Sequence, residues 1–254
     1  MSSKFETFAA LHVPGDPVIL FNVWDAGSAA VAARAGAKAI ATGSASVATA
    51  NGFGDGEALP LALALGNAER VVNAVELPVT IDFEGGYATE PEGLSANFAR
   101  LAATGAVGAN FEDQMVGGEG LYPIADQAAR IAAARRGAGD GFFINARTDI
   151  FLKAKADTHD DAKVDAAIER GNAYAEAGAS GFFVPGLADL RLLERVAKGV
   201  KLPVNFMAFP CAPDAKAVAG TGVARISHGP FPHMAALKFF EDAARATFSE
   251  LQPD

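Results

Sequence analysis

Short apolar runs rich in β-branched residues alternate along this chain with Ala-rich stretches whose apolar positions recur at helical spacing. The junction between the two repeats itself. Arg34-Ala35-Gly36-Ala37 precedes Ala39-Ile40-Ala41, and Ala103-Thr104-Gly105-Ala106 precedes Val107-Gly108-Ala109-Asn110-Phe111. Glu176-Ala177-Gly178-Ala179 precedes Gly181-Phe182-Phe183-Val184, and Ala219-Gly220-Thr221-Gly222 precedes Val223-Ala224-Arg225-Ile226. The first Gly of each junction predicts a left-handed helix C-cap, and the run that follows predicts a strand buried on both faces. A Leu-Pro form of the junction introduces Val79-Thr80-Ile81 and Val204-Asn205-Phe206.

With Val18-Ile19-Leu20-Phe21 and Phe142-Phe143-Ile144-Asn145, eight strands are predicted. Helical patterns between them run from Leu94 to Ala103, Ile124 to Arg136, Asp161 to Ala177 and Leu187 to Lys198. Eight βα units in 254 residues predict a single (β/α)₈ TIM barrel, an α/β fold, rather than an open doubly wound sheet. The open sheet usually places a Gly-rich phosphate loop after its first strand, and none follows Val18-Ile19-Leu20-Phe21. No linker or charge block divides the chain, so residues 1–254 read as one catalytic domain.

In such a barrel the reacting groups come from the C-terminal ends of the strands. Here those ends carry Asn22-Val23-Trp24-Asp25, Thr42-Gly43-Ser44-Ala45-Ser46, Asp82-Phe83-Glu84 and Asn110-Phe111-Glu112-Asp113. The remaining four carry Asn145-Ala146-Arg147-Thr148-Asp149, Val184-Pro185-Gly186, Asn205-Phe206-Met207 and Ser227-His228.

Asp82 and Glu84 are two apart, so strand alternation places both on one face, where Glu112 of the next strand can join them. Crowded carboxylates repel unless a cation neutralises them, and an all-oxygen set suits Mg²⁺, or Mn²⁺ in its place, better than Zn²⁺. Solvated strand-end acids are the competing reading. Arg147 supplies the opposite charge, suited either to clamp a substrate anion or to form an internal salt bridge with Asp149. The turn at Ser44 and Ala45 can aim backbone N–H groups at an oxyanion. The Gly-rich stretch from Gln114 to Tyr122 reads as a lid over the site, or else as a surface loop. Trp24, Asn205 and His228 are further candidates for substrate contact. Cys211 reads as an inert small hydrophobe.

Composition narrows the classes. Half the residues are hydrophobic, enough for a large core. A net charge of −9 argues against nucleic acid or an anionic membrane surface as partner. It leaves room for a small carboxylate held by a local cation. One cysteine excludes an intrachain disulfide and a Cys-rich zinc site. The N-terminus lacks the apolar core of a signal peptide, and no run is long enough to span a bilayer, so a cytoplasmic protein is expected.

Taken in order, these segments resemble the isocitrate lyase/phosphoenolpyruvate mutase superfamily. The likeness runs from Asn22-Val23-Trp24-Asp25-Ala26-Gly27-Ser28-Ala29 through Ala41-Thr42-Gly43-Ser44 and Gly52-Phe53-Gly54-Asp55-Gly56-Glu57. It continues through Asp82-Phe83-Glu84-Gly85-Gly86-Tyr87, Asn110-Phe111-Glu112-Asp113-Gln114 and Asn145-Ala146-Arg147-Thr148-Asp149. The resemblance implies Mg²⁺ held, directly or through water, at Asp55, Asp82, Glu84 and Glu112. It also implies substrate oxygens near Ser44 and Ala45, and Arg147 on a distal anionic group. It further implies a homo-oligomer, a dimer or tetramer, with the last helix exchanged between subunits.

Departures from the family restrict the chemistry. The isocitrate and methylisocitrate lyases carry a Lys-Lys/Arg-Cys-Gly-His lid whose Cys is the general acid, where this chain has Gly117-Gly118-Glu119-Gly120-Leu121. The Lys and Asn of phosphoenolpyruvate mutase lids are missing too, and Glu84-Gly85-Gly86-Tyr87 replaces the commoner Asp-Thr-Gly-Tyr. That pattern is similar to the carboxyphosphonoenolpyruvate phosphonomutase-like and oxaloacetate decarboxylase members. The expected activity is cleavage of a C–C bond in a small 2-oxo or 2-hydroxy di-acid, with Arg147, Ser44 and Glu112 as catalytic groups. P–C bond chemistry and a non-catalytic dicarboxylate binder are the alternatives.

Overall fold

A computed structural model describes residues 3–249 of the chain. Eight strands run parallel: β1 (Val18–Leu20), β2 (Ile40–Ala41), β3 (Val79–Asp82), β4 (Gly108–Glu112), β5 (Phe143–Arg147), β6 (Gly181–Phe183), β7 (Val204–Met207) and β8 (Arg225–Ser227). Their order is β1-β8-β7-β6-β5-β4-β3-β2. A single parallel bridge between Val23 and Thr42 joins the seam, where Val23 N–H donates to Ala41 O at 2.8 Å and Gly43 N–H to Val23 O at 3.2 Å. The sheet is thus a nearly closed (β/α)₈ barrel.

The helices are α1 (Lys4–Ala10), α2 (Ala26–Arg34), α3 (Ser44–Ala50), α4 (Leu61–Asn73), α5 (Pro91–Ala103), α6 (Ile124–Ala138), α7 (Asp161–Glu176), α8 (Leu190–Gly199), α9 (Ala215–Ala219) and α10 (Phe231–Ser249). Two helix starts differ from the periodicity by about a turn. α5 starts a turn before Leu94 because Pro91, with its φ already set, occupies the first turn. α8 starts at Leu190 rather than Leu187 because the Asp189 carboxylate caps Leu192 N–H at 2.9 Å. Gly36, Gly105 and Gly178 take the left-handed conformation expected of them, at φ 98, 88 and 100°. In the fourth junction Gly220 stays right-handed at φ −58°, because its N–H still bonds Lys216 O at 3.1 Å, and Gly222 makes the turn at φ 90°.

The main core lies between sheet and helices, where Phe98 meets Phe83, Phe111 and Phe142 edge-on with centroids 5.3, 5.1 and 6.3 Å away. A second cluster sits at the strand starts. There α1 brings Phe8 against Val18, Leu20, Ala39, Val107 and Phe143, and the His12 ring stacks on Phe143 at 4.3 Å. The N-terminal mouth of the barrel is plugged with side chains, and the C-terminal mouth carries the cavity described next.

β1 departs from the expectation of two buried faces: Ile19 and Phe21 are 51 % and 56 % exposed. α10 explains this. It leaves the barrel with only Pro232 and His233 buried, so it does not cover the strand. Cys211, expected as an inert hydrophobe, is exposed and left-handed at φ 70°. No helix among the described residues is long and apolar enough to cross a membrane.

Candidate active site

A cavity of about 310 Å³ is lined by residues from the C-terminal strand ends. Asn22, Ser44, Ala45, Asp55, Asp82, Asn110, Arg147 and Ser227 contribute to one part of its wall, and Leu152, Phe183, Met207, Pro230 and Phe231 make an apolar part. Asp82 closes β3 and is held on three sides. Its Oδ2 accepts from Ser44 N–H at 3.0 Å and Ser44 Oγ–H at 2.9 Å, and its Oδ1 accepts from Asn110 Nδ2 at 3.2 Å. The Ser44 N–H, read from the sequence as an oxyanion donor, is therefore engaged by Asp82.

Glu84 does not follow strand alternation. β3 ends at Asp82, and Glu84 adopts a left-handed backbone at φ 51°. Its Oε1 accepts from Gly56 N–H at 2.9 Å and Glu57 N–H at 3.0 Å, and its Oε2 from Tyr87 Oη–H at 3.1 Å. Glu57 and Tyr87 are left-handed as well, at φ 59 and 57°, and Tyr87 N–H donates to Glu57 Oε1 at 2.7 Å. Each such residue stores about 1–3 kcal/mol of strain, kept only where surrounding contacts over-determine it. Three interlocked here tie the loop carrying Asp55 to the end of β3.

Glu112 at the end of β4 meets Arg147 at the end of β5, with Nη1 and Oε2 2.8 Å apart. Arg147 also grips Asp149, Nε to Oδ1 at 2.6 Å and Nη2 to Oδ2 at 2.9 Å. The internal salt bridge with Asp149 is therefore formed, and the same guanidinium also lines the cavity. Burial pushes Glu84 up to about 7, with repulsion from Asp82 and Asp55 added and Glu57 N–H opposing. Burial likewise pushes Glu112 up to about 8, against the pull of Arg147 and with repulsion from Asp149, Asp82 and Glu84. Burial works against the charge on Arg147, but Glu112, Asp149 and Asp82 outweigh it and raise its pKa.

Glu84 therefore feels the charges of Asp82 and Asp55, and Glu112 those of Asp82 and Glu84, without the four forming a shell. Among the described residues, no three acidic, His or Cys side chains converge on a point that would hold an ion. Mg²⁺ usually keeps several waters and takes one or two carboxylates directly. Asp55 and Asp82 on the cavity wall, with Glu84 and Glu112 buried behind, fit a hydrated ion of that kind.

Three expected substrate contacts lie outside the cavity lining. The chain turns outward after Val23 to start α2, and the Trp24 ring packs on His233 at 4.7 Å. His228 donates from Nδ1 to Leu20 O at 3.2 Å and faces Phe21. Asn205 is buried in the barrel, its Oδ1 accepting from Ser227 Oγ–H at 3.2 Å. The stretch from Gln114 to Tyr122 folds as a small turn, bridged between Gln114 and Leu121, with residues 117–120 exposed. Sequence reasoning gave no role to Asn22, whose Oδ1 accepts from His228 and Gly229 N–H at 2.8 and 2.9 Å and whose Nδ2 donates to Thr42 O at 2.8 Å. It also passed over Asn110 and Arg225. The available signal was a charged residue inside an otherwise apolar strand run, Val223-Ala224-Arg225-Ile226.

The sequence profile of the phosphoenolpyruvate phosphomutase family matches residues 8–248. The chain belongs to this family. It lies in the isocitrate lyase/phosphoenolpyruvate mutase superfamily, a group of enzymes that includes carbon–carbon lyases. A candidate phosphonomutase from Burkholderia cenocepacia J2315 is 47 % identical, superposes with a TM-score of 0.94, and shares 96 % of this chain and 98 % of its own. An uncharacterized protein of Mycobacterium tuberculosis is 33 % identical over 94 % of this chain and 88 % of its own length. An oxaloacetate decarboxylase of Ectopseudomonas mendocina is 28 % identical over 70 % of this chain and 61 % of its own length.

Proposed function

We propose that the protein is a Mg²⁺-dependent lyase that breaks a C–C bond in a small 2-oxo or 2-hydroxy di-acid, by decarboxylation or retro-aldol cleavage. The observation that carries this reading is the make-up of the cavity wall. It combines two carboxylates, Asp55 and Asp82, with one guanidinium, and among the described residues no Lys, His or Cys lines it. Decarboxylation of a 2-oxo di-acid suits such a wall. The bond to the leaving carboxylate breaks, its electron pair is retained as an enolate, and the carbon is protonated afterwards, so no side-chain acid need act in the bond-breaking step.

Asp82 and Asp55 would hold the ion, with Glu84 and Glu112 reaching it through water. A bound Mg²⁺ supplies positive charge where the enolate develops. Asp82, fixed by Ser44 and Asn110, is held in one orientation. The Ala45 N–H is left to meet a substrate oxygen, while Ser44 N–H serves if Asp82 shifts. Arg147 has one N–H left on each of Nη1 and Nη2 to meet the distal carboxylate. Leu152, Phe183 and Met207 keep water from that end. The test is a thermal-shift titration of metal-stripped protein with Mg²⁺ and then oxalate, followed by pyruvate release from oxaloacetate. Stabilisation by Mg²⁺ that grows with oxalate supports the site, and no metal-dependent turnover of any 2-oxo or 2-hydroxy di-acid removes the activity.

P–C bond chemistry is the second reading, and the 47 % identical candidate phosphonomutase favours it. Arg147 weighs against it, because Asp149 and Glu112 already occupy three of its five N–H donors, leaving fewer for a phosphonate dianion. Consumption of phosphonopyruvate would reverse this ranking.

The working form is proposed to be a homo-oligomer that exchanges α10. Met234, Leu237, Phe239, Phe240 and Phe248 are exposed on that helix, and Ile19, Phe21 and Val31 are exposed on and beside β1. α10 of a second copy laid over β1 would bury both surfaces.

A further inference from the structure

A guanidinium crosses the lumen of the barrel beneath the candidate site. Arg225 lies on β8, opposite β4 in the strand order, and is 1 % exposed. Its Nη2 reaches across to donate to Asn110 Oδ1 at 3.2 Å, and its Nε donates to Ser227 Oγ at 3.1 Å. Asn110 Oδ1 accepts a second bond from Asn145 Nδ2 at 2.8 Å. Two donors on that oxygen leave Nδ2 to face Asp82 Oδ1, which it does at 3.2 Å. Turned over, the Asn110 amide would set its NH₂ against a guanidinium and another NH₂, and would leave Asp82 Oδ1 without its donor. The cation therefore selects which end of Asn110 meets Asp82.

Space for this arrangement comes from a missing side chain. A Cβ on Gly181 would stand 2.8 Å from Asn145 Oδ1. Barrel interiors are ordinarily filled by branched aliphatic residues, and a buried guanidinium is a costly substitute. Burial pushes Arg225 down to about 9, with the charge of Asp82 as the opposing influence, and its Nη1 has no hydrogen-bond partner. Filling the lumen alone does not account for a cation there.

Resting on the metal reading above, we propose that Arg225 is a positioning residue that acts through Asn110 to hold the Asp82 carboxylate in its ion-binding orientation. The test uses the metal-stripped full chain and Mg²⁺ alone as probe, with affinity read by calorimetry and by thermal shift. Arg225→Met should weaken Mg²⁺ binding about 10–100-fold, the usual range for a group that orients a ligand. Arg225→Lys keeps the cation and N–H donors for Asn110 Oδ1, and should lose less than Arg225→Met. Arg225→Met combined with Asn110→Ser should be no weaker than Asn110→Ser alone, because the two act in series.

A merely structural Arg225 would lower the melting temperature and leave Mg²⁺ affinity intact. That result, or additive losses in the double variant, overturns the proposal. Should Arg225→Met not fold, Arg225→Gln, which keeps a polar side chain but removes the cation, decides: unchanged affinity overturns the proposal and weakened affinity upholds it. If the unmodified protein shows no Mg²⁺ response, the metal reading fails by itself. A crystal structure of Arg225→Gln then decides the positioning role, since an Asp82 carboxylate in its unaltered orientation overturns it and a reoriented carboxylate upholds it.

Discussion

Arg147 Nη1 lies 2.8 Å from Glu112 Oε2 while Nε and Nη2 of the same guanidinium hold both oxygens of Asp149 at 2.6 and 2.9 Å. One cation thus serves two carboxylates and still faces the cavity. A planar fork is required for this, and a lysine ammonium does not reproduce it. Arg147→Lys should lower kcat/KM for the di-acid substrate about 100-fold, and Asp149→Asn about 10-fold, in line with about 1.5–3 kcal/mol for a charged hydrogen bond. Steady-state kinetics on both variants checks this. An Arg147→Lys enzyme with unaltered kcat/KM would remove Arg147 from substrate binding.

The carboxylates behind the cavity make stability depend on pH. Glu84 and Glu112 sit at about 7 and about 8 rather than the ordinary 4.5, so the folded chain holds protons that the unfolded chain has released. The stability their neutral forms provide is complete below 4.5 and is lost as pH rises through about 7 and 8. His12 has the opposite sign. Burial lowers it from 6.5 to about 3, so its contribution is full above 6.5 and fades as pH falls. Above 6.5 the two glutamates therefore decide, and the melting temperature of EDTA-treated protein should fall between about pH 6.5 and 8.5. Mg²⁺ should flatten that fall. A level profile without metal would mean that both glutamates are already satisfied.

Tyr87 links two of the acidic residues, donating from Oη to Glu84 Oε2 at 3.1 Å and from its backbone to Glu57 Oε1 at 2.7 Å. Tyr87→Phe removes only the first bond. It should cost about 0.5–1.5 kcal/mol of stability and weaken Mg²⁺ binding, with the loss of affinity the more telling result. Differential scanning calorimetry with and without Mg²⁺ separates the two effects.

Phe239 and Phe240, 78 % and 71 % exposed in the single chain, would be covered by a second copy in the proposed exchange of α10. Phe239→Glu with Phe240→Glu should convert the oligomer to monomers in sedimentation velocity. A wild-type chain that already sediments as a monomer rules out the exchange of α10.

The strands were legible in the sequence because each is a short apolar run set between helical patterns, and neither feature depends on distant residues. The positions of Ser44, Asp82, Asn110 and Arg147 at strand ends were legible for the same reason: a parallel barrel puts every C-terminal strand end at one mouth. Local pattern failed where partners distant along the chain set the outcome. Alternation assigned Glu84 to the face of Asp82, and the two do line one small pocket, but Glu84 reaches it through a left-handed turn with its carboxylate held by Gly56, Glu57 and Tyr87. Trp24 and His228 sit at strand ends too, yet packing against His233 and Phe21 leaves them outside the cavity lining. By itself the sequence determined the barrel and the mouth at which its polar residues gather, because hydrophobic periodicity and chain connectivity suffice for both. Only the tertiary structure decided that Arg225 reaches Asn110, 115 residues away along the chain, because which side chains meet across a lumen depends on barrel closure.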